Sequence, residues 1–249
     1  MDWSKSNDMS TVGNWRGPNI VKNGLLIYLD PSSPNSYYAT QGGTTLKDIS
    51  GNINNGSLVN TPTFSTTVGG SFSFDGTNQY INCGNSNNLQ ITEGTISVWI
   101  KATSGNSSFR GVITKQNAWG LFLINNVLCA FDWGNYYASG FDINQGIRST
   151  GINLGTNTWT NVTMTFSQTV GVAIPGPPNN NVVIYVNGSS VLTTTTLHYD
   201  HSAPIQFAGA NFAGQYLSGS IAQGIVYNQV LSSTEILQNF NSTRSRFGV

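Results

Sequence analysis

The densest group of residues that could do chemistry is the heptapeptide FDWGNYY at residues 131–137. It combines a carboxylate, an amide and several aromatic rings, and another tryptophan lies a short way upstream. Sugar-binding sites place an aromatic ring beneath the apolar face of a sugar and surround it with carboxylate and amide partners. The pattern therefore predicts a glycan site made of Trp119, Asp132, Trp133, Asn135, Tyr136 and Tyr137. The alternative is that Trp133 and one tyrosine fill the core, because aromatic side chains bury large apolar areas.

Acidic residues are too few and too scattered to predict a hydrolase. Glycoside hydrolysis needs two carboxyl groups about 5–10 Å apart, and the chain has only two glutamates, Glu93 and Glu235. Asp132 and Asp142 flank the aromatic segment, but no neighbouring strand supplies a partner carboxylate. The sequence also lacks the GxSxG motif of a serine nucleophile. We therefore predict no catalytic residues and no enzymatic activity.

Two further groups of polar residues resemble metal ligands. The segment HYDH at residues 198–201 holds both histidines, but a metal site needs three or four well-placed ligands, so we expect an exposed loop. Asp30, Asp48 and Asp75 lie at turns and are weak candidates for calcium. Their alternative role is to cap turns by accepting hydrogen bonds from nearby N–H groups. Apart from this calcium option, we expect no cofactor.

The composition is unusual in its low charge. Only 8% of residues are charged, and ten basic residues balance ten acidic ones. Without a basic surplus, nucleic acid is not expected as a partner, and near-zero net charge favours association with other proteins or self-association. No segment has the length of a membrane span or the apolar region of a signal peptide. Cys83 and Cys129 lie in strand-like segments and are expected to be buried free thiols.

Short apolar segments separated by turn residues predict an all-β fold of antiparallel sheets packed as a sandwich or jelly roll. Apolar residues alternate along Gly94–Ala102, with Trp99 on the opposite face. We predict β-hairpins within residues 71–84, around an Asp-Gly turn, and at Asn187–Gly188. The proline-rich segment 169–181 is expected to be a surface loop.

One helix is predicted, at Leu231–Phe240. Ser232 or Ser233 can cap its first turn, and Glu235 lies where a carboxylate favours the positive end of the helix dipole. A helix this short is unstable alone, so we expect it to cover an edge or an end of the sheets. The side chains expected to pack on the sandwich are Leu231, Ile236, Leu237 and Phe240.

Four motifs, in the expected order, resemble the concanavalin A-like, laminin G-like jelly-roll family. They are SFSFDGTNQYINCG, GTISVWIK, the pair TWTNVTMTFSQ and VVIYVNGSSV, and the closing GSIAQGIVYNQVLSSTEI. The resemblance covers residues 20–249 and implies an antiparallel two-sheet jelly-roll sandwich. Residues 1–19 are polar and have no periodicity, which indicates either an extended N-terminal arm or a disordered segment. Many relatives bind calcium through an aspartate in the closing strand. This chain has Ala222 at that position.

The opening GPNIVKNGLLIYLDPSSPNSYY and the closing NFNSTRSRFGV are similar to jelly-roll proteins of tailed bacteriophages, which are virion components. This resemblance implies a non-enzymatic head-decoration, neck or tail protein, made in the host cytoplasm and bound to other virion proteins. Cell-surface glycans are a further expected partner. The expected assembly contacts are Trp3, Trp15, Arg16, Arg244 and Arg246. The alternatives are a free carbohydrate-binding lectin and, third, a glycoside hydrolase.

Overall fold

A computed structural model describes residues 19–40, 42–106, 108–167, 181–197, 201–212 and 214–249. The chain folds mainly into β-strands, with α1 (Trp133–Ala138), α2 (Ile143–Gly146) and α3 (Ser233–Phe247) as its α-helices in these ranges. The strands are β1 (Leu25–Leu29), β2 (Thr45–Leu46), β3 (Gly56–Val59), β4 (Thr63–Ser65), β5 (Ser71–Asp75), β6 (Tyr80–Asn82), β7 (Glu93–Ala102), β8 (Arg110–Lys115), β9 (Trp119–Ile124), β10 (Val127–Phe131), β11 (Ile147–Asn153), β12 (Trp159–Ser167), β13 (Val182–Val186), β14 (Ser189–Thr194), β15 (Ile205–Phe207) and β16 (Ser218–Tyr227).

The strands form two eight-stranded antiparallel sheets, which confirms the predicted all-β sandwich. The sheet that we call the back sheet has the order β14-β13-β12-β7-β16-β5-β4, and β1 pairs with β16. The other, the front sheet, has the order β11-β10-β9-β8-β15-β6-β3-β2. The two sheets stack face to face, as expected for a jelly roll.

The core between the sheets follows from the alternation of side chains along each strand. In β7, Ile96, Val98 and Ile100 are buried in the core between the sheets, whereas Trp99 belongs to a separate cluster on the outer face of the back sheet. Trp119 is also fully buried between the sheets, where its ring stacks on Phe166 with centroids 5.1 Å apart. The prediction that Trp119 belongs to a glycan site is therefore wrong.

The C-terminal helix α3 is longer than the sequence predicted, because it continues through the basic tail to Phe247. Its Ser232 cap is confirmed: the hydroxyl accepts a hydrogen bond from the Glu235 N–H, and the Glu235 carboxylate accepts one from the Ser232 N–H. These bonds to Ser232 hold the pKa of Glu235 below its usual value. A left-handed glycine, Gly248, ends the helix.

The helix covers the outer face of the back sheet rather than an edge. Trp99 stacks on Phe247 with ring centroids 3.9 Å apart and donates its indole N–H to the Thr243 hydroxyl at 2.9 Å. Phe240 packs on the same ring. The prediction was wrong for Leu237, which is 46% exposed. None of the helices within the described ranges has the length and apolar character needed to cross a bilayer.

Several local predictions differ from the structure. Residues 71–84 do not form a hairpin, because β5 pairs within the back sheet and β6 within the front sheet. Strands β2, β3, β4 and β11 and the short helices α1 and α2 were not predicted. The hairpin at Asn187–Gly188 is confirmed, and both residues have the positive φ angles, 49° and 77°, of its tight turn. The predicted loop at 169–181 lies, except for its last residue, outside the described ranges.

Candidate functional site

Helix α1 places the predicted aromatic segment on the outer face of the front sheet. It begins directly after β10, and Asp132 caps it by accepting a hydrogen bond from the Asn135 N–H at 2.9 Å. The same carboxylate pairs with the Arg148 guanidinium at 2.8 Å and accepts the Leu197 N–H at 3.1 Å. Because both oxygens have protein partners, Asp132 holds α1 in place and is not a free ligand for a sugar.

The aromatic residues of α1 pack on rings that project outward from the front sheet. Trp133 is only 2% exposed and meets Phe131 edge to face, with centroids 5.0 Å apart. Tyr136 packs on the same ring, at 5.6 Å. Tyr137 turns away and donates its hydroxyl to the Asn117 side chain at 3.0 Å. The alternative role of Trp133, filling a core, is therefore confirmed, although the core is a small one outside the sandwich.

These rings enclose an open cavity of about 140 Å³, which we call the aromatic pocket. Five aromatic side chains form most of its wall: Phe109, Phe122, Phe131, Trp133 and Tyr136. Ile143 and Phe212 complete the apolar lining and are also 43% and 62% exposed. The pocket thus combines a buried aromatic floor with apolar side chains that reach solvent, a combination typical of ligand sites.

The remaining lining residues are two glutamines, Gln116 and Gln215. The Gln116 Oε1 atom is buried and has no hydrogen-bond partner among the described residues. None of the described residues that line the pocket is charged. Of two cations in adjoining segments, Arg148 is paired with Asp132, and Arg110 donates a hydrogen bond to a backbone carbonyl group. The two glutamines therefore supply the aromatic pocket with neutral amides as hydrogen-bonding groups.

A second cavity, of about 270 Å³, lies on the same outer face. It is lined by residues of β9, β10 and β11 and the turn after β9: Ile124, Asn125, Val127, Cys129, Ile147 and Ser149. Cys129 pairs across the strands with Phe122, which lines the aromatic pocket. The two cavities are therefore neighbours along the front sheet.

The sequence predicted only part of this site. The structure brings Asp132, Trp133, Asn135, Tyr136 and Tyr137 together around α1, but only Trp133 and Tyr136 line the aromatic pocket, and the Asn135 amide donates to the Gln145 carbonyl at 2.9 Å. Sequence reasoning missed seven lining residues: Phe109, Gln116, Phe122, Phe131, Ile143, Phe212 and Gln215. Side chains alternate between the two faces of β9 and β10, and this alternation could have shown that the rings of Phe122 and Phe131 point outward from the sandwich.

The weak calcium candidates are engaged by hydrogen-bond donors of the protein. Asp48 accepts the N–H groups of Tyr28 and Ser50, each at 2.9 Å, and Asp75 accepts that of Thr77 at 2.8 Å. These contacts confirm the turn-capping alternative for both residues. No group of three or more histidine, cysteine or acidic residues with metal-site geometry occurs in the described part of the chain.

Asp30 and Arg246 form a buried ion pair, which corrects two predictions. The Arg246 Nη1 atom lies 2.8 and 3.0 Å from the two Asp30 oxygens, and the side chains are 4% and 2% exposed. Asp30 is therefore not available as a calcium ligand, and Arg246 is not available for contacts with other proteins. Arg244, two residues earlier on the same helix, is exposed. The other predicted assembly contacts, Trp3, Trp15 and Arg16, and also His198 and Asp200, lie outside the described residues.

Asp142 and the two cysteines also have structural roles. Asp142 caps α2 by accepting the Asn144 N–H at 3.0 Å. Cys83 and Cys129 are buried free thiols, as predicted. Burial raises the pKa of both, that of Cys129 to about 12, so neither is a reactive thiolate at neutral pH.

Two stacked antiparallel sheets with an aromatic pocket on one outer face define a lectin-like β-sandwich. The chain belongs to the Concanavalin A-like lectin/glucanases superfamily, whose Laminin_G_3 model matches residues 75–237. This match confirms the family resemblance of the sequence motifs. No curated protein matches the chain.

Solved structures share the fold at low sequence identity. The binding domain of Paraclostridial Mosquitocidal Protein 1 superposes with a TM-score of 0.64 and 17% identity over 89% of this chain and 52% of that one. Domain 4 of AbnA, a GH43 extracellular arabinanase from Geobacillus stearothermophilus, in complex with arabinotriose, superposes with a TM-score of 0.57. The identity is 16% over 87% of this chain and 98% of that one. Trypanosoma rangeli sialidase in complex with sialic acid superposes with a TM-score of 0.62 and 13% identity over 90% of this chain and 33% of that one. The chain spans about half the length of the mosquitocidal domain and a third of the sialidase.

Proposed function

We propose that this domain is a non-catalytic carbohydrate-binding module and that its ligand binds in the aromatic pocket. The observation that carries the proposal is the set of aromatic rings that line an open cavity together with two glutamine side chains, on the outer face of the front sheet. Aromatic rings supply apolar area to the C–H face of a sugar, and amides supply hydrogen bonds that orient it. A longer glycan would continue along the front sheet into the second cavity.

The acidic residues of the site support a binding role rather than hydrolysis. A glycosidase needs one carboxyl group that donates a proton and a second that acts as base or nucleophile. Asp132 is committed to Arg148 and to the start of α1, and Asp142 to the start of α2. Among solved structures of this fold, domain 4 of AbnA is described in complex with arabinotriose, and the mosquitocidal structure is described as a binding domain.

Replacing Phe212 with alanine should weaken glycan binding by about tenfold, because burying a phenylalanine ring against a ligand contributes roughly 1.5 kcal/mol or more. Phe212 is 62% exposed, so the variant should fold normally. A glycan array would identify the ligand, and titration calorimetry would measure its affinity. Tyr38→Ala is the matched control, because this exposed aromatic residue does not line the pocket. Equal affinity of Phe212→Ala and wild type would contradict the proposal.

We also propose that the domain is a component of a tailed-phage virion and presents this site on the particle. The low charge and the similarity of its opening and closing segments to phage jelly-roll proteins support this location. Exposed Arg244 and the N-terminal residues Trp3, Trp15 and Arg16 remain the proposed contacts with other virion proteins.

Deleting residues 1–18 should abolish incorporation into the particle while leaving the sandwich folded. The contacts that anchor the start of the domain lie beyond the deletion: the Asn239 side chain accepts the Val21 N–H at 2.8 Å, and Tyr227 donates to the Val21 carbonyl at 3.0 Å. Mass spectrometry of purified particles would measure copy number, and circular dichroism would check the fold. Unchanged copy number would contradict the assembly role of the arm, and absence of the wild-type protein from particles would contradict the virion location.

A further inference from the structure

The two glutamines of the aromatic pocket supply its amide hydrogen-bonding groups. The Gln116 side-chain oxygen has no hydrogen-bond partner among the described residues, and the half-buried Gln215 side chain also forms part of the wall. The Gln116 Oε1 atom is buried as well, and a buried acceptor without a donor destabilises the free protein. A ligand that brings an N–H or O–H donor beside Gln116 would remove this cost, with a small rotation of the flexible side chain.

The size of the aromatic pocket limits what can enter it. Pockets for drug-sized ligands are roughly 300–1,000 Å³, whereas this cavity is about 140 Å³. It therefore accommodates one substituent or one edge of a sugar ring, not several residues of a glycan. The rest of the ligand must lie outside, against Phe212 and Ile143 or over the second cavity.

The lining also limits the charge of that substituent. The nine described lining residues are uncharged, and Arg148 and Asp132 neutralise each other nearby. Among the described residues of the wall, a carboxylate sugar would meet no cation and a free amino sugar no anion, so each would lose hydration without compensation. The pocket is therefore suited to a neutral group with one apolar end and one amide-like end.

We propose that the aromatic pocket binds the acetamido group of an N-acetylated amino sugar; this inference rests on the carbohydrate-binding function proposed above. The methyl group packs against the rings of Phe122, Phe131 and Trp133. The amide N–H donates to the Gln116 side-chain oxygen, and the amide carbonyl accepts from a glutamine NH₂. An O-acetyl group supplies the methyl but no N–H donor, and a deoxy sugar supplies the methyl but neither amide atom.

The test compares sugars that differ only in the group on carbon 2. N-acetylglucosamine is paired with glucose and glucosamine, and N-acetylgalactosamine with galactose, each titrated against the full chain by ligand-observed NMR. At least one N-acetyl sugar should bind about tenfold more tightly than its hydroxyl partner, because one hydrogen bond and one buried methyl distinguish them. An O-acetylated sugar and fucose are the ester and deoxy controls; each supplies the methyl group without the N–H donor and should bind more weakly than the N-acetyl sugar.

Gln116→Leu should remove the preference for the N-acetyl group while leaving the fold intact, because it replaces an unsatisfied buried acceptor with an apolar side chain of similar shape. Gln90→Leu is the matched control, since Gln90 is exposed and does not line the pocket. Urea unfolding should show Gln116→Leu to be at least as stable as wild type, so that lost binding reports on recognition.

The outcomes separate this inference from the proposed function. If the protein binds glycans through Phe212 but does not distinguish N-acetyl from hydroxyl sugars, the acetamido assignment is overturned and the carbohydrate-binding function stands. If Gln116→Leu keeps the full preference, the assignment is likewise overturned. If no glycan binds to the wild-type protein, both proposals fail together.

Discussion

Replacing Arg246 with methionine should lower the free energy of unfolding by about 3–5 kcal/mol, the usual effect of removing one partner from a buried ion pair. The substitution leaves the Asp30 carboxylate, 2% exposed, without the cation whose Nη1 atom contacts both of its oxygens. It also removes the donors to the carbonyl groups of Val68, Gly70 and Ala222. The pair joins the last turn of α3 to the end of β1, so its loss should loosen both chain segments.

Urea unfolding followed by tryptophan fluorescence would measure this change. Arg244→Met is the matched control, because Arg244 lies on the same helix but is exposed, and it should change stability by no more than about 0.5 kcal/mol. The double variant Asp30→Asn, Arg246→Met should recover part of the loss, since it removes the unpaired charge. If Arg246→Met and Arg244→Met are equally stable, the ion pair does not hold the helix in the way that the contacts indicate.

Trp99→Ala should destabilise the protein by about 3–5 kcal/mol, as expected when a buried tryptophan is truncated. The ring is fully buried on the outer face of the back sheet, between the sheet and the aromatic rings of Phe240 and Phe247. Its indole N–H also donates to Thr243. Because these contacts join β7 to α3, the variant should release the helix before the sandwich unfolds.

Limited proteolysis with mass spectrometry would detect early cleavage within α3, and urea unfolding would measure the free energy. Trp99→Phe keeps a ring but not the hydrogen bond, so it should cost less than Trp99→Ala. Leu237→Ala provides the control on the helix itself, because Leu237 is 46% exposed and contributes little buried area. A loss for Trp99→Ala no larger than for Leu237→Ala would contradict the role assigned to the tryptophan.

The sequence predicted those parts of the fold that depend on local pattern. The alternation along β7, the Asn187–Gly188 turn and the Ser232 cap each arise from neighbouring residues, and the structure contains all three. The supposed hairpin at 71–84 failed because its turn signal is real but connects strands of different sheets. A turn motif reports a reversal of the chain, whereas the choice of partner strand depends on contacts distant in sequence.

The same distinction explains the prediction of the site. Trp133 and Tyr136 were found because they lie in one short aromatic segment, whereas Phe109 and Phe212 reach the aromatic pocket from loops far apart in the chain. Trp119 was wrongly included because nearness in sequence was taken for nearness in space. On β9, Trp119 and Phe122 have opposite parity, so one ring faces the core between the sheets and the other faces the pocket.

The position of Asn19 gives the domain an orientation. Its carbonyl accepts a hydrogen bond from the Gln238 side chain at 2.6 Å, so the chain enters the sandwich beside α3, on the back sheet. The aromatic pocket opens on the opposite broad side. A partner bound at Asn19 would therefore lie on the side of the domain away from the aromatic pocket and would leave the pocket open to its ligand.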